Sequence, residues 1–328
     1  MRRVGRRAAW IFLLLLVFVA SYLALNWAPD RPVESLTERW ATPPSEFVEI
    51  SGMQVHLRDE GPRDDPTPLV LLHGTSSSLH TWDGWASLLK GQRRVIRVDL
   101  PGFGLTGPYP DDDYRVPHYL NFMAALLDRL ALRRVALVGN SFGGQIAWET
   151  ALADPDRVEK LVLVDAAGYP LQAISVPIGF RLAQLPLLAP LLSRVLPRRI
   201  VSSSLANVYG DPSKVTPELI DRHYELALRA GNRKALGLRF LHVPAGADAA
   251  RIPTIRIPTL ILWGALDETI PVALAQRFHD EIPGSELVVF PGLGHVPQEE
   301  DAAQTVAALE RFLMRTSSVA PSLAPAPR

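Results

Sequence analysis

The sequence predicts an α/β fold: a mostly parallel eight-stranded sheet with helices on both faces, an inserted helical cap and an apolar N-terminal helix. Three observations carry this prediction. Short β-branched runs alternate with longer amphipathic segments through the body, the pattern of a parallel sheet covered on both faces. Over residues 168–253 the alternation fails and Leu and Pro dominate; a gap of that length is too long for an ordinary loop and reads as an insertion. Residues 8–28 carry no charge.

Arg2, Arg3, Arg6 and Arg7 precede that uncharged run, and Asp30, Arg31, Glu34 and Glu38 follow it. At about 1.5 Å per residue, residues 8–28 match a hydrocarbon core roughly 30 Å thick. Segment 1–28 is therefore expected to be a single-pass membrane anchor. The arginines would hold the N-terminus in the cytoplasm and place the rest of the chain on the extracytoplasmic side. A cleaved export signal is the rival reading, although its apolar core is usually shorter and ends in small residues. Residues 29–45 read as a linker with a short helical piece. The core is expected over 46–167 and 254–316, the cap over 168–253, and a disordered tail rich in Ser, Ala and Pro over 317–328.

Within the core, 47–50 and 53–59 read as a hairpin turning at Ser51-Gly52. Residues 68–73 (PLVLLH), 94–99 (RVIRVD), 134–139 (RVALVG), 158–165, 258–263 (PTLILW) and 286–290 are the further strands. Helices are expected over 79–89, 114–130, 142–153 and 302–315, and in the cap over 178–185, 187–195 and 217–229.

Composition narrows the function. The chain has 328 residues, 48% of them hydrophobic, enough for one large domain plus appendages. Lys+Arg and Asp+Glu both number 34, so no basic field exists to hold nucleic acid. Without cysteine there is no disulfide, no thiolate metal site and no Cys nucleophile.

Gly139-Asn140-Ser141-Phe142-Gly143-Gly144 stands directly after one expected strand and before an expected helix. A tight strand-to-helix turn there thrusts the serine hydroxyl outward and leaves no room for a Cβ at 139 or 143. Serine needs a base. Of the eight histidines, His295 lies in a Gly/Pro-rich loop after the last strand, whereas His56, His80, His118, His223, His242 and His279 read as packed or surface residues. An acid must fix the imidazole tautomer. Asp267 follows the strand at 258–263, with Asp165 at the end of the preceding strand as its competitor. The second requirement is a pair of backbone donors for an oxyanion. Phe142 N–H supplies one, and the loop after 68–73 the other, through Gly74 and the N–H of Thr75, with Ser76 as the alternative. His73 is read as a support that hydrogen-bonds this loop.

Together, His73-Gly74, Asp99-Leu-Pro-Gly-Phe-Gly104, the elbow at 139–144, Trp263-Gly-x-x-Asp267 and Gly294-His295-x-Pro make residues 47–315 resemble the α/β-hydrolase superfamily. The order Ser, Asp, His is the one found in that superfamily. The elbow with Asn140 and Gly144 is similar to that of meta-cleavage-product carbon–carbon hydrolases and related esterases and lipases. The resemblance implies a capped active site, hydrolytic chemistry and no cofactor; no metal is expected. Haloalkane dehalogenases and epoxide hydrolases carry Asp where Ser141 stands, which disfavours both. The anchor tilts the expectation towards a small-molecule or lipid ester, with the apolar stretch 183–196 suited to an acyl chain or to ordinary cap packing. Carbon–carbon hydrolysis and cofactor-free perhydrolysis on the same triad are the alternatives, followed by a non-catalytic tethered binding protein. Oligomeric state and acyl specificity are not legible.

Overall fold

The computed structural model describes residues 2–170, 175–183, 185, 187 and 193–315. Its strands are β1 (Ser45–Ile50), β2 (Met53–Glu60), β3 (Leu69–Leu72), β4 (Val95–Val98), β5 (Val135–Asn140), β6 (Val158–Val164), β7 (Thr259–Gly264) and β8 (Glu286–Phe290). They form one sheet in the order β1-β2-β4-β3-β5-β6-β7-β8. β2 runs antiparallel to β1 and β4, and every other pairing is parallel. The helices are α1 (Arg2–Leu25), α2 (Glu34–Trp40), α3 (Asp83–Leu89), α4 (Val116–Arg129), α5 (Phe142–Ala153), α6 (Ile178–Ala183), α7 (Arg198–Val208), α8 (Pro217–Ala227), α9 (Asn232–His242), α10 (Ala273–Glu281), α11 (Pro297–Glu300) and α12 (Ala302–Met314).

The continuous apolar strands are explained by two cores. Side chains alternate across the sheet. Leu69 and Leu71 of β3 enter one core with Trp85 of α3 and Leu309 of α12. Val70 and Leu72 enter the other with Met123 of α4, Ile146 of α5 and Phe278 of α10. Both faces of β3 are thus dry, and no position in it tolerates a polar residue cheaply. The segment expected as one helix over 79–89 opens as a 3-10 turn, Leu79–Trp82, before α3.

Between β6 and β7 the chain leaves the sheet to build α6 to α9 and a 3-10 turn, Ala249–Thr254. Two of these helices, α7 and α9, were not expected from the sequence. Their compositions (RRIVSSSLANV and NRKALGLRFLH) hide a partly buried apolar face among basic and small residues. Most of the helix expected over 187–195, much of the apolar stretch 183–196 and the tail 317–328 lie outside the described residues.

The N-terminal reading needs correction. Among the described residues no helix is long and apolar enough to cross a membrane. The anchor expected over 8–28 is therefore not supported. Helix α1 stops at Leu25, and the last part of that run is built into the body instead. Trp27 bridges Val195, Ala28 N–H donates to the Arg194 carbonyl at 2.8 Å, and Ala28 is buried. Residues 29–45 carry the expected short helical piece as α2, but they are packed on the body. Leu36 of α2 is 1% exposed and packs with Leu105 and Leu226 of α8, a burial that contributes about 1.5–3 kcal/mol. Arg39 donates to Asp221 and Glu225 at 2.9 and 2.7 Å, and Trp40 Nε1 donates to Glu225 at 2.7 Å. A short amphipathic turn followed by charges looks like a linker until its partner helix is known.

Candidate active site

Ser141 stands between β5 and α5 with φ 55° and ψ −119°. This strained conformation costs on the order of 1–3 kcal/mol and persists only where packing enforces it. Two glycines permit the turn. A Cβ on Gly139 would overlap the Gly143 carbonyl, across the turn as expected, whereas one on Gly143 would strike the Leu72 and His73 carbonyls at the end of β3. The second restriction therefore comes from the neighbouring strand. Phe142 opens α5, and neither its N–H nor that of Thr75 has an acceptor among the described residues. Thr75, Gly74 and Ser141 line one cavity, which leaves two backbone donors available for a developing anion.

His295 lies beyond β8 and lines the same cavity. Its Nδ1 donates to Asp267 Oδ2 at 2.7 Å. Asp267 is in turn fixed by the N–H groups of Thr269 and Ile270, which reach its Oδ1 at 2.7 and 2.9 Å. This leaves Nε2 as the free nitrogen, the tautomer that a general base requires. Among the described residues no hydrogen bond joins that ring to the Ser141 hydroxyl; such contacts commonly tighten only with substrate in place. Asp165, the rival acid, is fully buried at the end of β6 and accepts from Gly264 N–H at 3.0 Å. Burial, and then the neighbouring Asp267 carboxylate, push its pKa well above the usual carboxylate range. The imidazole pairs with Asp267.

His73 takes a supporting place away from the cavity. Its Nδ1–H donates to the Gly74 carbonyl at 2.7 Å, and its Nε2 accepts from Leu100 N–H at 3.0 Å. Complete burial lowers its pKa and keeps it neutral.

Several positioning residues were not legible in the sequence. Asn140, inside the elbow, donates to the His295 carbonyl at 3.0 Å and the Val164 carbonyl at 3.1 Å. Glu300 gathers Gly294 N–H at 2.6 Å and Gly210 N–H at 3.1 Å, while His295 N–H donates to the Val208 carbonyl at 2.8 Å. On the opposite rim, His223 of α8 donates from Nδ1 to the Ser76 carbonyl at 3.1 Å. Burial, then Arg222, depress the His223 pKa to about 4, so this donor is neutral near physiological pH. The cap is therefore bonded both to the loop carrying the base and to the loop carrying an oxyanion donor. Glu300→Ala is expected to lower kcat/KM about 10–100-fold, because an error of about 1 Å in a reacting group can cost roughly 100-fold. Steady-state kinetics with a short ester, alongside a melting curve, checks this.

From Ser141 and His295 the cavity, about 570 Å³, runs into the cap past Phe180, Val201, Leu205, Leu236 and Leu241. Its size is that of a small-molecule site. Asp165, Asp267 and His295 offer one ligand atom each within 4.8 Å of one another, the one such group among the described residues. His295 Nδ1 is already committed to Asp267.

The family profile described as alpha/beta hydrolase fold matches residues 67–302. A 2-hydroxy-6-oxo-2,4-heptadienoate hydrolase of Pseudomonas putida is 33% identical over 280 residues, covering 81% of this chain and 95% of the relative. A 2-hydroxymuconate semialdehyde hydrolase of a Pseudomonas species is 30% identical, covering 82% of this chain and 94% of the relative. Among solved structures, a meta-cleavage product hydrolase from Pseudomonas fluorescens superposes with a TM-score of 0.70 at 26% identity over 82% of this chain and 96% of its own. A membrane phospholipase A, described as a bacterial virulence factor, superposes with a TM-score of 0.69 at 26% identity over 94% of this chain and 98% of its own.

Proposed function

We propose, from the premise that the chain belongs to the alpha/beta hydrolase fold family and is a hydrolase, that it cleaves carboxylic esters with an apolar acyl chain through an acyl-enzyme on Ser141. The observation that carries this reading is the cavity. Its catalytic end holds Ser141 and His295, and its cap end is walled by aliphatic and aromatic side chains. In the first half-reaction Ser141 Oγ bonds to the carbonyl carbon while its proton passes to His295 Nε2. The N–H groups of Phe142 and Thr75 hold the oxyanion. The C–O bond then breaks, and His295 protonates the leaving alcohol. Water repeats the sequence, releasing the acid and regenerating the serine.

The P. putida and Pseudomonas relatives favour a second reading, carbon–carbon hydrolysis on the same residues. A dienoate carries a carboxylate, and the two cations among the described lining residues are already engaged. Lys234 pairs with Asp112 and Arg233 with Asp30. This pairing and the likeness to a phospholipase over 94% of the chain support the lipid-like ester as our first reading. Export of the domain, on the strength of the arginines ahead of the apolar run, belongs to the same proposal; protease protection in intact against lysed cells tests it.

The full-length chain should form a single fluorophosphonate adduct on Ser141, lost in His295→Ala. It should also turn over p-nitrophenyl esters faster as the acyl chain lengthens from acetate. A folded protein that takes no label overturns the serine mechanism. Labelling, with faster turnover of a 2-hydroxy-6-oxo-dienoate than of every ester, would move the assignment to carbon–carbon cleavage.

A further inference from the structure

One fully buried carboxyl beside the catalytic residues has no part in the mechanism above. Asp165 directly follows β6, the strand paired with β7, and Asp267 follows β7. Asp165, Asp267 and His295 each bring an atom within 4.8 Å of the others. The two oxygens of Asp165 differ. Oδ1 accepts from Gly264 N–H at 3.0 Å, and Oδ2 meets no donor among the described residues. The backbone of Asp165 is itself strained, with φ 43°, so the chain holds this carboxyl in place against a local cost.

An ionised Asp165 would set a buried, half-satisfied carboxylate against a second carboxylate, which is disfavoured by desolvation and by like charge. A proton on Oδ2 removes both problems. It turns the bare acceptor into a donor, and the Asp267 carboxylate offers an acceptor close by, with a carboxylate oxygen within 4.8 Å of one of Asp165. Asp267 has lone pairs to spare after its bonds to Thr269, Ile270 and His295. We propose that Asp165 is a neutral carboxylic acid that donates its proton to Asp267, and so acts as a positioning residue that both orients the acid and tempers its pull on His295. The proposal rests on the serine-hydrolase reading of the site. The raised pKa of Asp165, caused first by burial and then by Asp267, points the same way. The charged or titratable groups that face this pair are His295 and Glu300.

The role makes an unusual demand: charge at 165 is dispensable and a donor is not. Asparagine reproduces the neutral acid, its carbonyl taking Gly264 N–H and its amide donating to Asp267. Asp165→Asn should therefore keep kcat/KM within about threefold of wild type, with the acid limb of its pH profile unmoved. Asp165→Ala removes the donor, leaves Asp267 a stronger partner for the imidazolium, and should raise that limb by about half to one pH unit. It should also lower kcat about tenfold or more through lost orientation. The experiment measures kcat/KM against pH with a p-nitrophenyl ester for full-length wild type and both variants, after fluorophosphonate titration of each. If wild type takes no label, the serine reading fails. If it labels, an Asn variant that folds but loses 100-fold overturns the proposal, because an anion is then required. An Ala variant with an unmoved acid limb overturns it as well. If Ala does not fold, the Asn variant decides alone.

Discussion

Ser141→Ala is expected to lower kcat by roughly 10⁴–10⁶-fold while the cavity and the fold persist. The size follows from how the residues share one task. The hydroxyl is the atom that bonds to substrate carbon, His295 Nε2 takes its proton, and Asp267 holds that ring at 2.7 Å; the rest of the machinery has little to act on once the first is gone. His295→Ala should cost a similar factor, and the double variant little more than either single one, because residues that work as a unit do not add. Asp267→Asn should cost about 10⁴-fold through the wrong tautomer. A residual rate above background is expected in each, carried by the N–H groups of Phe142 and Thr75. Turnover of a p-nitrophenyl ester, after mass analysis has excluded contaminating wild type, measures all four. Wild-type-like turnover in Ser141→Ala would remove the serine from the mechanism. The strained φ of 55° at Ser141 adds an independent signature. Ser141→Gly should melt higher than Ser141→Ala, since only glycine relaxes there without steric cost.

What the sequence revealed was whatever obeys a local rule. The helix over 142–153 could be read to the residue, because Phe142–Ala153 begins at a glycine-rich turn and carries apolar residues all round. The strands were visible because covering a sheet on both faces removes the polar alternation, as at β3. Ser141, Asp267 and His295 were legible because each sits at the end of a strand in a fixed chain order, and glycines mark the turns that aim them. The sequence favoured Asp267 over Asp165 without settling the choice. Both follow strands, and only the geometry shows which oxygen meets the ring.

Residues that act across long separations stayed hidden. Glu300 drew no attention in the sequence, yet it collects backbone N–H groups from the cap and from the His295 loop. Asn140 was legible only as part of the elbow, and it secures the His295 carbonyl 155 residues away. Gly210, Gly264 and Gly294 are scattered along the chain, but any side chain on them would overlap one another's neighbouring backbone. The docking of residues 26–45 on the cap failed to announce itself for the same reason. Its partners, Arg194, Asp221 and Glu225, lie more than 150 residues further along the chain, and no local pattern pairs them with it.

The largest loss of stability is expected at Asp99, which touches no substrate. The loop after β4 folds around this fully buried carboxylate. Its Oδ1 accepts from Leu79 N–H at 2.7 Å, its Oδ2 accepts from Leu105 N–H at 2.8 Å, and Oδ2 also meets His56 Nδ1 at 2.7 Å. These bonds tie the 3-10 turn leading from the oxyanion loop to the turn at Phe103–Gly107, next to the strand that carries His56. Asparagine cannot accept at both positions, and its amide would face a donor. Leaving buried donors unpaired costs about 1–3 kcal/mol each, so Asp99→Asn should destabilise by about 3–5 kcal/mol and lower activity through disorder in the Thr75 loop. Burial works to raise the pKa of Asp99, but His56 and its hydrogen bond more than offset that and hold it well below the ordinary carboxylate range. A depressed folded pKa contributes stability above the unfolded value, near pH 4, that is lost as pH falls. The gap in urea midpoint between wild type and Asp99→Asn should therefore be full at pH 7 and narrow below about pH 4. A gap that stays constant from pH 7 to pH 3 would mean that Asp99 acts through shape alone and that its charge contributes nothing to the fold.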